Sequence, residues 1–158
     1  FMKIYISYFY AVRFFKPYQI PMSTAVWDPK WYQPPRGRLY HIDKRGVING
    51  LKATPFALPH HSGDTPDCLI CDKVPSHCAF IPKYKAHLDS LDFEDMMARI
   101  GRLAREAVQL TANPDHEPEV VLLVHEAPSN PCSERGPLVD WFHKHGVTIE
   151  EYPIPSKK

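Results

Sequence analysis

What this chain has little of narrows it first. No apolar run approaches the ~18 residues of a membrane-spanning helix, so no membrane partner is expected. Neither sign of charge dominates: 19 Lys plus Arg stand against 18 Asp plus Glu. The resulting +1 gives no bulk attraction to nucleic acid or to a lipid surface, although local basic patches remain compatible with it. Cysteines number four, unevenly spaced and without a leader, which argues against a secreted disulfide scaffold. The apolar segment Ile4–Val12 is followed by Arg13 and Lys16 and by no small-residue cleavage site, so it does not read as a signal peptide. No internal repeat or low-complexity segment is present. These features lead us to expect a cytoplasmic protein, with Met2 rather than Phe1 as its natural start.

Proline is in excess, with 17 residues against a usual share of ~5%. Most lie between Pro17 and Pro82, which predicts long ordered loops there rather than long helices. Hydrophobic residues at 44% and charged residues at 23% describe an ordinary globule. A single domain over 1–158 is expected, burying about 68–70% of its unfolded surface.

Lys3–Tyr8 is rich in β-branched and aromatic residues and reads as a first strand, followed by a short helix or turn over Phe9–Phe15. Gln19–Ala25 reads as a second short strand, with Pro21 tolerated near its start or on an edge. Trp27, Trp31 and Tyr32 then crowd a proline-bounded loop, where they are expected to cover a core edge or line a pocket. Residues 36–89 hold no convincing long periodic element, and 55–85 reads as a loop-rich, proline- and cysteine-rich insert. A short strand and turn around Asn49-Gly50 is the one element expected there.

The clearest helix is Asp92 to Leu110, capped by Asp92, with Phe93, Met97, Ile100, Ala104, Ala107 and Val108 as its apolar face. Val120–Val124 is a strand-sized apolar run. A polar loop from His125 to Arg135 follows, then Pro137 at the expected start of a helix with the stripe Leu138, Trp141 and Phe142. Gly146 is expected to end that helix and Val147 to begin a new strand. The alternation implies a three-layer α/β/α, Rossmann-like domain with a mostly parallel sheet. In such sheets the ligand crevice lies beyond the carboxyl ends of the strands. Here those ends are Ser7–Phe9, Ser23–Trp27 and His125–Arg135.

The segments KIYISYF, IPMSTAVWDPKWY and the strand followed by Glu126-x-Pro-x-x-Pro-Cys-Ser-Glu-Arg, in this order and spacing, resemble the domain of unknown function 488 family. The resemblance is to a branch carrying Cys-Ser-Glu-Arg where more typical members carry Cys-His-Arg. It covers both ends of the chain, together with GVINGLKATPF and the Phe93 helix, less so the region from Pro59 to Ala79. That family has been grouped with the rhodanese–phosphatase superfamily. The grouping implies thiol chemistry on a phosphorylated or sulfur-carrying substrate, or a role with nucleotides or nucleic acid. The phosphatase loop proper is Cys-x5-Arg directly after the strand. Here Cys132 lies six residues beyond Glu126 and is followed as Cys-x-x-Arg, so a phosphatase assignment is not implied.

Cys132 at a helix entrance is the candidate nucleophile, since the helix dipole and Arg135 favour a thiolate; its alternative is a small buried hydrophobe. Arg135 reads either as an anion clamp or as a loop staple to Glu126 or Glu134. Glu126 reads as an acid/base or as an acceptor of loop N–H bonds. His125 reads as a packing residue. Ser7, Tyr8, Trp27, Trp31 and Ser133 are candidate ligand contacts by topology. The alternative to an enzyme is a binding module for an anionic small molecule or nucleotide. Cys68, Cys71, Cys78 and His77 form a possible structural zinc set, with His60 and His61 as other candidates for the fourth place. Free or packed thiols are the alternative. If zinc holds this insert, metal analysis of purified protein should find about one equivalent, on the four-ligand stoichiometry of structural sites; a metal-free preparation that stays folded would remove the idea.

Overall fold

The computed structural model describes residues 2–24, 30–31 and 74–155, and the structural statements below concern those residues. Strand β1 is Ile4–Tyr8, and a 3-10 helix over Phe9–Phe14 follows it directly. Strand β2 is Gln19–Ser23. A short 3-10 turn at Pro75–His77 precedes helix α1, Phe80–Asp89, and helix α2, Phe93–Val108. Strand β3 is Glu119–Val124, helix α3 is Arg135–Lys144, and strand β4 is the two-residue pair Glu150–Glu151. The four strands form one sheet in the order β2-β3-β1-β4, and every pairing is parallel. The chain is an α/β domain of Rossmann-like architecture.

The sheet's two faces follow from strand alternation. Ile4, Ile6, Ile20, Met22, Val120, Leu122 and Val124 point to one face and share a core with buried residues of all three α-helices. Val121 and Leu123 point to the other, against Phe9, Tyr152, Val12, Phe14 and Phe15. The second layer among the described residues is thus a 3-10 helix and aromatic rings rather than α-helices. Pro21 sits in the middle of β2, which is an edge strand of the described sheet. Thr24 N donates to Leu123 O at 2.9 Å. By alternation the N–H groups of even-numbered residues in β2 face β3, so the position lacking one, Pro21, faces away from the ladder.

Helix α2 begins where expected, with the Asp92 carboxylate accepting from Asp95 N at 3.0 Å. Its inward methionine is Met96, whereas Met97 is only partly buried. The helix α1 lies inside the stretch expected to lack long periodic elements. Phe80, Tyr84 and Leu88 recur every four residues and are all buried, and Pro82 falls in the first turn, where no intrahelical N–H bond is lost. Helix α3 starts at Arg135, two residues before Pro137, for the same reason.

The last strand also starts later than expected. Gly146 adopts φ 84°, and Gly146 N and Val147 N donate to His143 O and Phe142 O, both at 2.9 Å. This is a Schellman closure, in which Val147 finishes the helix and cannot begin a ladder. Pairing with β1 is therefore confined to Glu150 and Glu151. In urea denaturation, Gly146→Ala should cost about 1–2 kcal/mol through its left-handed backbone, and Asp92→Ala should cost ~1 kcal/mol through the lost cap.

Candidate active site at the carboxyl ends of the strands

The crossover leaving β1 runs over the face carrying the 3-10 helix, and the crossover leaving β3 runs over the helical face. β1 and β3 are neighbours, so the chain departs in opposite directions from adjacent strand ends. That is a topological switch point, where open parallel sheets place their ligand crevice. Ser7 pairs in register with Leu123, and Leu123 with Ser23. Ser7, Ser23 and Thr24 are buried, and the Thr24 hydroxyl donates to Leu123 O at 2.8 Å. The Ser7 hydroxyl is buried with no hydrogen-bond partner among the described residues.

The loop from His125 to Glu134 crosses this strand end and is fastened from within. Asn130 N donates to Ala127 O at 3.0 Å, and Cys132 N donates to Asn130 Oδ1 at 2.9 Å. At the entrance of α3, Arg135 N donates to Ser133 Oγ at 3.0 Å. This places Ser133 as a helix-start acceptor, and it is buried. Cys132 is 1% exposed and belongs to the main core cluster.

Arg135 is a staple, but not to the carboxylates expected. Its Nη1 donates to the backbone carbonyl of Glu126 at 2.7 Å, and its Nε meets Glu151 Oε1 at 2.8 Å. Its Nη2 reaches Glu151 Oε2 at 3.4 Å. One guanidinium thus ties the loop's first residue to the last strand, using all three nitrogens. The partner carboxylate comes from a strand whose place beside β1 is set by the sheet rather than by local sequence.

The acidic residue that sequence reasoning undervalued is Glu134. It is 2% exposed, and the Glu126 carboxyl group lies beside it. Burial, then the neighbouring Glu126 charge, pushes Glu134 up to about 8. Its own backbone N–H and the Arg135 charge pull the other way without cancelling that rise. At neutral pH Glu134 therefore keeps its proton. Tyr84 of α1 lies close enough to feel the Glu134 charge, and burial chiefly raises its phenol well above the usual value. Tyr84 was missed because its helix was missed; the signal was the four-residue recurrence of Phe80, Tyr84 and Leu88.

The remaining candidates are dispersed. Tyr8 is half-buried and stacks on Tyr10 at 6.1 Å. Trp31 is 59% exposed and does not cover a core edge. His125 is exposed, with its ring 5.4 Å from Phe9. Trp27, Cys68 and Cys71 lie outside the described residues, as do the Asn49-Gly50 turn, His60 and His61. Of the possible zinc set, Cys78 packs in the core whereas the adjacent His77 is exposed. Among the described residues no group of three or more His, Cys, Asp or Glu is placed to hold a metal. No helix among them is long and apolar enough to cross a membrane. A cleft of about 190 Å³ between α1 and α3 is lined by Leu88, Pro137, Asp140 and Trp141 and crossed by the Lys144–Asp89 ion pair at 2.6 Å. It contains none of the candidate residues.

No protein family, curated protein or solved structure matches this chain.

The sign of the Glu134 effect follows from linkage. A carboxyl group held at about 8 binds its proton more tightly in the folded chain than in the unfolded one. Its contribution to stability is complete below the unfolded value of ~4.5 and is lost as pH rises through the folded one. Between those limits wild-type stability should fall by up to about 1.4 kcal/mol per pH unit relative to Glu134→Gln. Denaturant titrations at several pH values test this; parallel curves for the two proteins would refute it.

Proposed function

We propose that the protein is a thiol- and carboxyl-dependent enzyme acting on an anionic substrate, phosphorylated, sulfur-carrying or nucleotide-like. In this reading it is a member of the 488 family that its motifs resemble. The observation that carries the proposal is the meeting of the buried, proton-holding Glu134 and the neighbouring Glu126 with Cys132 and Ser133 on one loop beyond the β1/β3 switch point. A structural loop has no need of a buried carboxyl group such as Glu134, whose desolvation is costly. A group-transfer site does need one acid that keeps its proton at neutral pH and one base beside it. Cys132, as its thiolate, would attack phosphorus and break its bond to the leaving-group oxygen, which Glu134 would protonate. Water would then cleave the S–P bond, giving its proton to the carboxylates and restoring the thiolate. A sulfur donor would instead leave a persulfide on Cys132, whose outer sulfur passes to a nucleophile such as cyanide. Arg135, after exchanging Glu151 for the substrate, would hold its anionic oxygens. A zinc ion on Cys68, Cys71, Cys78 and His77 would brace the insert without entering the chemistry.

A second reading, a non-catalytic anion- or nucleotide-binding module, is favoured by one observation: Cys132 is packed in the core and Arg135 is fully engaged. Turnover separates the two. Purified protein assayed with p-nitrophenyl phosphate, and with thiosulfate plus cyanide, should turn over at least one of them. Cys132→Ser should lower that rate by a thousandfold or more, on the order expected for loss of a nucleophile, and Glu134→Gln by about 10²–10⁴-fold. Circular dichroism should be unchanged in both. Full activity of Cys132→Ser would leave the binding module as the better account.

A further inference from the structure

The cleft of about 190 Å³ between α1 and α3 holds none of the groups assigned to the thiol chemistry, and its lining has a pattern of its own. Lys85, Leu88 and Asp89 stand at i, i+3 and i+4 on α1, and Pro137, Asp140, Trp141 and Lys144 at i, i+3, i+4 and i+7 on α3. Each helix thus turns one stripe toward the other. The floor is apolar, since Leu88, Pro137 and Trp141 are buried, whereas the four charged residues are exposed. Along the chain α1 presents Lys85 and then Asp89, and α3 presents Asp140 and then Lys144. The Lys144 ammonium meets Asp89 across the cleft at 2.6 Å. One helical turn back, Lys85 and Asp140 line the same cleft, and neither is in an ion pair among the described residues.

The geometry points to this cleft as a binding site for a free α-amino acid with an apolar side chain. Its two lysines and two aspartates cancel, so a simple anion or cation feels no net attraction there. A zwitterion does, because its carboxylate meets Lys85 while its ammonium meets Asp140, and both contacts are favourable at once. The flexible four-carbon stem of Lys85 lets its charge follow the ligand. An apolar side chain then covers Leu88, Pro137 and Trp141 and leaves water as it does so. Size selects the class of ligand. Sites for drug-sized molecules run to about 300–1,000 Å³, and a stable protein partner buries at least about 1,000 Å². A cleft of about 190 Å³ takes one amino acid and little more. The site owes nothing to Cys132, so it stands or falls separately from the thiol reading.

The test follows the indole N–H resonance of Trp141 in the nitrogen-15-labelled full chain. Its Nε1 is buried with no hydrogen-bond partner among the described residues, so the signal reports on the floor of the cleft. The peak is the one missing from Trp141→Phe, or the one left by Trp27→Phe and Trp31→Phe if that variant folds poorly. L-Leucine should shift it saturably with a Kd of about 1 mM, the order expected of so small a ligand in an open site. N-acetyl-L-leucine lacks the ammonium, L-leucinamide the carboxylate and glycine the side chain, and each should bind about tenfold more weakly. Two variants cross these ligands, at exposed positions where the fold is not at stake. Asp140→Asn should weaken leucine and leucinamide and leave N-acetyl-leucine as it was. Lys85→Gln should weaken leucine and N-acetyl-leucine and leave leucinamide as it was. Absence of a saturable shift up to about 50 mM leucine overturns the site. So does equal binding of leucine and its blocked forms, the mark of an apolar crevice only, or leucine binding unchanged in both variants.

Discussion

Strand β3 has no solvent face, and most of the described fold answers to that constraint. Val120 to Val124 are all at 0% exposure, with β1 on one side, β2 on the other, and apolar layers above and below. Parallel neighbours cannot be joined by tight turns, so each connection has to cross a face of the sheet. Among the described residues the chain meets this with a 3-10 helix on one face and three α-helices on the other. Polar chemistry is then excluded from the strand itself and displaced to its carboxyl end.

That displacement explains why so many polar groups meet within a few residues of Val124. Ser7, Ser23 and Thr24 come from the ends of β1 and β2, and Glu126, Cys132, Ser133 and Glu134 from the loop that leaves β3. Arg135 converts the crowd into a defined geometry by bonding the loop's first carbonyl and the carboxylate of Glu151 together. A partly exposed ion pair of this kind contributes only about 0–1 kcal/mol. Its larger consequence is positional: it fixes the loop that carries Glu126 and Glu134 against the last strand.

The elements whose signals are local were legible from the residues alone. The β-branched run at Lys3–Tyr8, the Asp92 cap, the stripe of Leu138, Trp141 and Phe142, and the stop at Gly146 all became the elements they indicated. Where the reading fell short, a competing local rule was at work. Proline density hid α1, although a proline in a first turn costs a helix nothing. Val147 looked like a strand start but closes the helix before it. Met96 and Met97 are equivalent by composition, and packing chose the former.

The candidate site divides along the same line. Sequence by itself determined that a thiol, a guanidinium and carboxylates would stand between an apolar strand and a helix, because chain proximity suffices for that. Only the tertiary structure decided the order of the strands, the partner of Arg135, and the burial that keeps a proton on Glu134. Those depend on burial and on groups brought from elsewhere in the chain, such as the Glu151 carboxylate of β4 that meets Arg135. An ionisable group's state is set by what surrounds it in space, and linear spacing does not carry that information.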